Sequence, residues 1–310
     1  MAQLRVYRDG GVVVEKGGKR ILLDPRALPR TKPDVIFVSH AHRDHYSLRA
    51  LRALSRIPKV MSRATRDLID PRGTLSNVVV AEAGEVVEVG GLALELYDAG
   101  HVLGSLQVRV DLGESVVFTG DFNLDRRIVL RPAPILRADV LIIDATYGHP
   151  RYCFPPRGEL YRRLLAIVKR SVEAGDRAVL AARTLGTGQE LTALLSLSAK
   201  LTPLVERRVA ARNRVYEKYG EILGNYAVLT REPPPGSAAV VPLSASSRGA
   251  IQCTGWAIEA GIPLSSHSDF DDLVEYVRRS GACEVYAAYG FTSAFSSYLR
   301  RFMGLDAIPL

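Results

Sequence analysis

The sequence predicts an α/β protein in which a strand-rich domain, assembled from both ends of the chain, is interrupted by a basic cassette. Three observations carry this expectation. The first 147 residues break into short segments rich in β-branched residues and bounded by Gly, Asp or Pro. From about Arg157 the texture changes to amphipathic helices alternating with buried-strand patterns. After Ile262, short strand and helix patterns resume. The boundaries that follow are residues 1–147 with 263–310 for one domain, and 148–262 for the cassette.

In order along the chain, GVVVEKG, KRILLDP, DVIFVSHA, NVVVAEAGEVVEV, LALELYDAG, LQVRVDL, SVVFTGD and DVLIIDATYG read as strands. A helix is predicted near Leu48 to Ile57 and another over Ala64 to Leu68. RGELYRRLLAIVKRSVEAG is amphipathic and helical, RAVLAAR reads as a buried strand, and a second helix starts at Gln189. Pro203 to Tyr219 is predicted as a basic helix, and EPPPGS at 232–237 as a loop. AAVVPLSA resumes strand texture, and after PLSSHSDF come the helix DDLVEYVRRSG, the strand EVYAAYG and a closing helix.

Composition narrows the class. A chain of 310 residues with 47% apolar and 24% charged residues can build real cores. No apolar run approaches the ~18 residues that span a bilayer, which predicts no membrane partner. The N-terminal stretch alternates apolar and polar residues and breaks at glycine pairs, so it reads as strands and turns, not a secretory signal. A cytoplasmic location is the expectation. Cys153, Cys253 and Cys283 are scattered, form no metal-type pair, and are read as small buried hydrophobes. The net charge of +8 is unevenly spread: residues 148–262 hold 16 Lys plus Arg against 9 Asp plus Glu, and the rest 25 against 24. That concentration suits a polyanionic partner, although a solvated surface would also account for it.

The chemistry concentrates in Ser39-His40-Ala41-His42-Arg43-Asp44-His45, directly after the apolar strand Asp34 to Val38. Three imidazoles and a carboxylate in so short a stretch cannot all face a hydrophobic core. Imidazole and carboxylate are ligand types that suit Zn²⁺. His101, between glycines in Ala99-Gly100-His101-Val102-Leu103-Gly104-Ser105, reads alone as a loop histidine. Asp121 ends the strand of Thr119-Gly120-Asp121-Phe122, where a buried acid is costly unless paired or metal-bound.

Together these residues resemble the metallo-β-lactamase superfamily pattern of HxHxDH, then a glycine-flanked histidine, then Gly-Asp. The resemblance implies an αββα sandwich with a metal site at one edge. It implies His40, His42 and His101 on one zinc, Asp44 and His45 on a second, and Asp121 bridging. Asp24, in Leu22-Leu23-Asp24-Pro25, resembles the family's early aspartate that orients ligands from behind.

A narrower resemblance is to the β-CASP branch. It rests on Asp144-Ala145-Thr146-Tyr147-Gly148, on Ser265-Ser266-His267-Ser268-Asp269-Phe270, on Trp256, and on Gly186-Thr187-Gly188-Gln189-Glu190. That branch comprises nucleases of RNA or DNA processing and repair, so the resemblance implies hydrolysis of phosphodiesters. Asp44, Asp121, Asp144 and His267 would be catalytic, with His267 protonating the departing oxygen or binding phosphate. Asp269 joins Asp24 as a supporting acid. Single-stranded RNA or DNA is the implied partner, held by the basic cassette through phosphate contacts, with a homodimer or a processing or repair complex as further partners.

One departure bears on the metals. The branch's last motif ends in His-Gly, whereas this chain has Ala287-Ala288-Tyr289-Gly290. A neutral phenol is a poor zinc ligand, its pKa lying near 10. The second zinc is therefore expected to be weaker, with Tyr289 at its position or His267 swinging onto it, and manganese could serve there. His149 reads as a loop residue at the hinge into the cassette. Two other functions stay open: a small-molecule metallo-hydrolase, which leaves the cassette and SSHSDF unexplained, and a catalytically weak or inactive nucleic-acid-binding subunit, which Tyr289 favours.

Overall fold

The computed structural model describes residues 3–245 and 249–310, so Met1 and Ala2 of the N-terminal stretch lie outside it. The chain divides into two compact units. One comprises Met1–Leu124, Pro132–Arg151 and His267–Leu310; the other comprises Asp125–Arg131 and Tyr152–Ser266. The divisions thus fall a few residues after the expected 147/148 and 262/263, and the short stretch Asp125–Arg131 joins the second unit. No β-branched strand or change of texture marks that stretch in the sequence.

The first unit holds two sheets. A six-stranded sheet runs Arg5–Arg8, Val12–Lys16, Lys19–Leu23, Val35–Phe37, Lys59–Met61, Val78–Val80 in spatial order. Its opening hairpins are antiparallel, and from Lys19–Leu23 onward the pairing is parallel. A seven-stranded sheet runs Asp306–Pro309, Glu284–Ala288, Val140–Asp144, Ser115–Phe118, Leu106–Asp111, Leu92–Asp98, Val86–Val89. Alternate residues of the two sheets share one core: Val12, Val14, Ile21, Leu23 and Phe37 with Leu94, Val108, Val116, Phe118 and Ile142. The opposite face of the larger sheet, through Val117, Leu141, Ile143 and Val285, packs on Leu273, Tyr276 and Val277 of the helix Phe270–Ser280. That helix has Asp269 as N-cap, acids in its first turn, arginines in its last, and Gly281 at φ +71° beyond its end. The parallel crossovers of the smaller sheet carry the short helices Leu48–Ala53 and Arg63–Ile69, each N-capped by a serine.

The second unit is a five-stranded, all-parallel sheet in the order Ala227–Val228, Leu204–Val205, Ala238–Pro242, Ala178–Ala182, Ile251–Gln252. Three helices share its core. Leu160, Leu164 and Val168 come from Arg157–Glu173, Leu191 from Thr187–Ala193, and Val209 with Ala210 from Arg207–Lys218. The Gly-Thr-Gly-Gln-Glu segment is structural here. Gln189 Oε1 accepts from the Gly186 N–H at 2.8 Å, and buried Glu190 meets Arg157 Nη1 at 2.6 Å and Arg127 Nη1 at 3.4 Å. The Tyr161 hydroxyl also donates to Glu190.

Several sequence expectations need correction. Pro203 to Tyr219 is not helical throughout: Leu204–Val205 is a strand, and the helix begins at Arg207 with Glu206 as N-cap. The closing helix is followed by a further strand, Asp306–Pro309, paired in parallel to Glu284–Ala288. Lys59–Met61 is also a strand, too short to show periodicity. Of the cysteines only Cys253 is buried; Cys153 and Cys283 are exposed, each at the start or end of a loop where no core reaches them.

Candidate metal centre

Strand ends of both sheets deliver the site residues of the first unit. Val35–Phe37 is buried on both faces and opens into the histidine-rich turn, so the chain beyond Val38 leaves the sheet edge with His40, His42 and His45 all buried. Lys19–Leu23 pairs in parallel beside it. The Asp24 N–H extends that pairing by donating to the Phe37 carbonyl at 2.9 Å. Asp24 then adopts φ +48°, which turns a fully buried carboxylate toward Ser39.

Ser115–Phe118 delivers Asp121 through Thr119 and Gly120. Gly120 sits at φ +53° with Ser39 so close that a Cβ there would lie 2.6 Å from the Ser39 Cβ. Only glycine permits this approach of the two loops. His101 stands in the loop after Leu92–Asp98, where its N–H donates to Ser105 Oγ at 3.1 Å.

The protons on these rings follow from Asp24. Its Oδ1 accepts from the Ser39 N–H at 2.7 Å, and its Oδ2 accepts from Ser39 Oγ at 2.7 Å and His45 Nδ1 at 2.8 Å. Ser39 Oγ, its proton spent on Asp24, accepts from His40 Nδ1 at 2.9 Å. With the Nδ1 positions of His40 and His45 protonated, both Nε2 atoms face inward, and each offers a lone pair when its ring is neutral. His40 Nε2 is 3.1 Å from His42 Nδ1 and 3.4 Å from Asp121 Oδ2. His101 Nε2 is 2.9 Å from His42 Nδ1 and 3.5 Å from Asp121 Oδ2. His45 Nε2 points at Asp121 Oδ1 from 3.2 Å, and that buried oxygen has no hydrogen bond.

Three ring nitrogens and a carboxylate oxygen, all buried, converge at 2.9–3.5 Å, an arrangement that is costly unless a proton or a cation lies between them. A tetrahedral ion with bonds of about 2.0–2.1 Å has ligand–ligand edges of about 3.3 Å. The group His40, His42, His101 and Asp121 therefore fits a divalent metal ion by both spacing and donor type. In the metal-free protein burial holds the His40 pKa well below its ordinary value, and the neighbouring His45 charge adds to this. For His45 burial acts in the same direction, but Asp121 and Asp24 outweigh it and raise its pKa to about 9.

A second group borders the first. His267 Nε2 lies 3.6 Å from Asp121 Oδ2, while its Nδ1 donates to Asp144 Oδ2 at 2.9 Å. Asp144 ends the strand Val140–Asp144, and its other oxygen accepts from Thr146 N at 2.8 Å and Thr146 Oγ1 at 2.7 Å. Ser268, buried beside His267, donates its N–H to the Phe122 carbonyl, and its Oγ accepts from the Leu124 N–H. The loops of Asp121 and His267 are thereby stitched together. Ser39, Thr146 and Ser268 were not assigned roles from sequence; a small hydroxyl residue adjacent to each buried acid or histidine was the only signal.

The remaining predicted residues fall as follows. Asp44 is exposed on the turn, and among the described residues it belongs to none of the His and acid groups whose donor atoms lie within 4.8 Å of one another; Asp24 joins His40 and His45 instead. The charge of Asp44 still reaches both rings, favouring their protonated forms. Asp269 caps the helix Phe270–Ser280, accepting from Asp272 N at 3.0 Å, a bond that fixes the helix following His267. Tyr289 does enter the site. At φ +65° its ring centroid lies 4.5 Å from that of His45, and its hydroxyl donates to Asp24 Oδ2 at 3.4 Å. Burial raises the Tyr289 pKa well above its usual value, and Asp24 and Asp121 reinforce this, so it is a neutral phenol. His149 is a half-buried loop residue whose Nδ1 accepts from Arg151 N at 3.2 Å, and Trp256 is half exposed with its ring 5.2 Å from Tyr152.

With this geometry in view, residues 3–126 match the model of the β-lactamase superfamily domain. The chain resembles the metallo-β-lactamase superfamily, and its relatives include proteins of the β-CASP branch. Among relatives of this family, a probable DNA ligase of Opitutus terrae is 28% identical over 297 residues, covering 87% of this chain and 28% of the ligase. An RNase J-like protein of Methanocaldococcus jannaschii is 27% identical over 213 residues, covering 60% of this chain and 51% of that protein. The chain thus spans between about a quarter and a half of these relatives' lengths. The same fold recurs in a crystal structure of a protein of unknown function from Enterococcus faecalis. That match has a TM-score of 0.68 and 11% identity and covers 100% of this chain and 97% of that one. Among the described residues, no helix is long and apolar enough to cross a membrane.

Proposed function

We propose that this chain is a metal-dependent nuclease that hydrolyses phosphodiester bonds of single-stranded RNA or DNA. The observation that carries the reading is the buried cluster of His40, His42, His101 and Asp121 with the Asp144–His267 pair against it. Zinc suits the donor set of the first position. A bound cation would neutralise phosphate oxygens and acidify water at neutral pH. Asp121 offers one oxygen toward the three-histidine position and the other toward His45, so it bridges the two halves of the site. Asp24 fixes the tautomers of His40 and His45. Asp144 orients His267 with Nε2 inward, where it binds the scissile phosphate or delivers a proton to the departing oxygen. On the second side stand His45, Asp121 and, on the open turn, Asp44, with the phenol of Tyr289 where the branch has a histidine. We infer a weaker second ion there, zinc or manganese. The names of the relatives support nucleic acid as the substrate and support both sugars, one being a ligase of DNA and the other RNase-like.

The test is incubation of metal-loaded protein with end-labelled single-stranded RNA and DNA of matched sequence, beside Asp121→Ala and His267→Ala. Cleavage lost in both variants supports the nuclease and identifies its sugar, and the ladder separates trimming from internal cuts. Tight binding without cleavage under any divalent metal supports a second reading, the binding subunit, with Tyr289 as the observation that favours it.

A further inference from the structure

The side chain of Arg157 joins three separate chain segments inside the second unit. Its Nη1 donates to Glu190 Oε1 at 2.6 Å, its Nε to Asp125 Oδ2 at 3.0 Å, and its Nη2 to the Ser265 carbonyl at 2.7 Å. Each nitrogen of the guanidinium thus serves a different segment. Glu190 is itself held in place. Its other oxygen meets Arg127 Nη1 at 3.4 Å, and the Tyr161 hydroxyl donates to the oxygen that Arg157 uses. The side chains of Glu190 and Arg127 are fully buried, and that of Arg157 is nearly so.

Stability alone does not account for such a hub. Taking charges out of water consumes most of what their attraction returns, and well-packed apolar residues of equal volume would hold the unit together as well. What a planar guanidinium adds is direction, because its donors form a rigid fork. The acceptors show what is being directed. Asp125 comes four residues after Asp121, and Ser265 two residues before His267. Asp125 is the first residue of the second unit after one passage of the chain, and Ser265 is the last but one before another. On the first-unit side the same two segments are already tied, by Ser268 N–H to the Phe122 carbonyl at 2.8 Å and Leu124 N–H to Ser268 Oγ at 2.9 Å. Arg157 fastens them a second time, beyond the site.

We propose that Arg157 is a positioning residue for His267. By holding Asp125 and the Ser265 carbonyl on one rigid fork, it fixes the segment that carries His267 against the segment that carries Asp121, and it touches no reacting atom itself. What the positioned histidine does rests on the nuclease reading above. Misplacing a reacting group by about 1 Å costs about 100-fold in rate, so loosening this fork should appear in the chemical step.

The experiment compares wild type with Arg157→Lys, Asp125→Ala and Tyr161→Phe, all metal-loaded. Hydrogen exchange of the peptide containing Ser265 to Ser268 is followed by mass spectrometry, beside steady-state cleavage of labelled single-stranded RNA and DNA. Arg157→Lys keeps a positive charge for Glu190 but replaces three directed donors by one ammonium. It should speed exchange in that peptide by about 10-fold. It should also lower kcat by about 10- to 100-fold, with KM within about threefold of wild type. Asp125→Ala removes one half-exposed acceptor and should move both readouts the same way by a smaller factor; it decides the matter if Arg157→Lys does not fold. Tyr161→Phe takes a hydrogen bond from Glu190 and leaves those to Ser265 and Asp125 in place. It should melt lower than wild type yet match it in exchange of this peptide and in kcat. Unchanged exchange in Arg157→Lys, a kcat equal to that of Tyr161→Phe, or a loss confined to KM overturns the proposal. Wild type that cleaves neither strand removes the nuclease reading, and the exchange comparison then decides alone whether Arg157 holds the His267 segment.

Discussion

Replacing Asp24 by asparagine is the sharpest perturbation of the metal centre that touches none of the converging donors. The carboxylate is fully buried and accepts from Ser39 N, Ser39 Oγ, His45 Nδ1 and the Tyr289 hydroxyl. An amide of the same shape must turn its NH₂ toward at least one of these donors. If it faces Ser39 Oγ and His45, both rings lose the partner that holds their protons on Nδ1, and the inward lone pairs are no longer fixed. If it faces Ser39 N, the backbone bond that aims the histidine turn is lost. Loss of such an outer partner lowers metal affinity by about 10- to 100-fold, or about 1.4–2.7 kcal/mol. Zinc affinity measured by competition with a chromophoric chelator should fall by that factor, and Asp24→Ala should fall at least as far. An Asp24→Asn protein that binds zinc within about twofold of wild type would refute the tautomer argument.

Three further outcomes follow from particular contacts. Tyr289→His puts an imidazole 4–5 Å-scale neighbour of His45 in place of a neutral phenol and should raise bound metal, read by elemental analysis after dialysis, toward two ions per chain; unchanged content contradicts the weak-second-ion reading. Lys59 is fully buried, and its Nζ donates to the carbonyls of Leu54, Ile57 and Ser76 at 2.7–3.0 Å, so Lys59→Met should cost about 3 kcal/mol in chemical denaturation while leaving zinc affinity intact. Glu190→Gln leaves the buried guanidinium groups of Arg127 and Arg157 without their shared counter-charge. It should destabilise the protein by about 3–5 kcal/mol, and a loss under about 1 kcal/mol would show the cluster to be hydrated instead.

His40, His42 and His45 were legible because they follow a strand inside a short polar segment that no core could absorb. His101 and Asp121, individually ordinary, were joined to them by the resemblance, and the structure brings His40, His42, His101 and Asp121 together, with His45 against Asp121. Asp144 and His267 were singled out only by resemblance, since an acid ending an apolar strand and a serine-flanked histidine are individually ordinary. The hydroxyls of Ser39, Thr146 and Ser268 escaped notice because their work depends on distances between segments up to 144 residues apart, as between Leu124 and Ser268. Asp44 differs: its spacing within the motif suggests a donor, and the structure leaves it exposed on the turn while Asp24 approaches His45 from another strand. Exposed Cys153 and Cys283 show the limit of residue-type averages, because a small apolar side chain in a loop has no core to enter. The strand Asp306–Pro309 was missed because four residues with a terminal proline offer no alternation to read.

The central claim is tested most directly by measuring metal content and strand cleavage in the same samples. Protein stripped with chelator should be inactive on both labelled RNA and DNA and should regain cleavage of one as zinc or manganese is returned. Asp121→Ala reloaded in parallel should remain inactive. Cleavage that survives stripping, or that persists in Asp121→Ala, would contradict a hydrolytic site built on these residues.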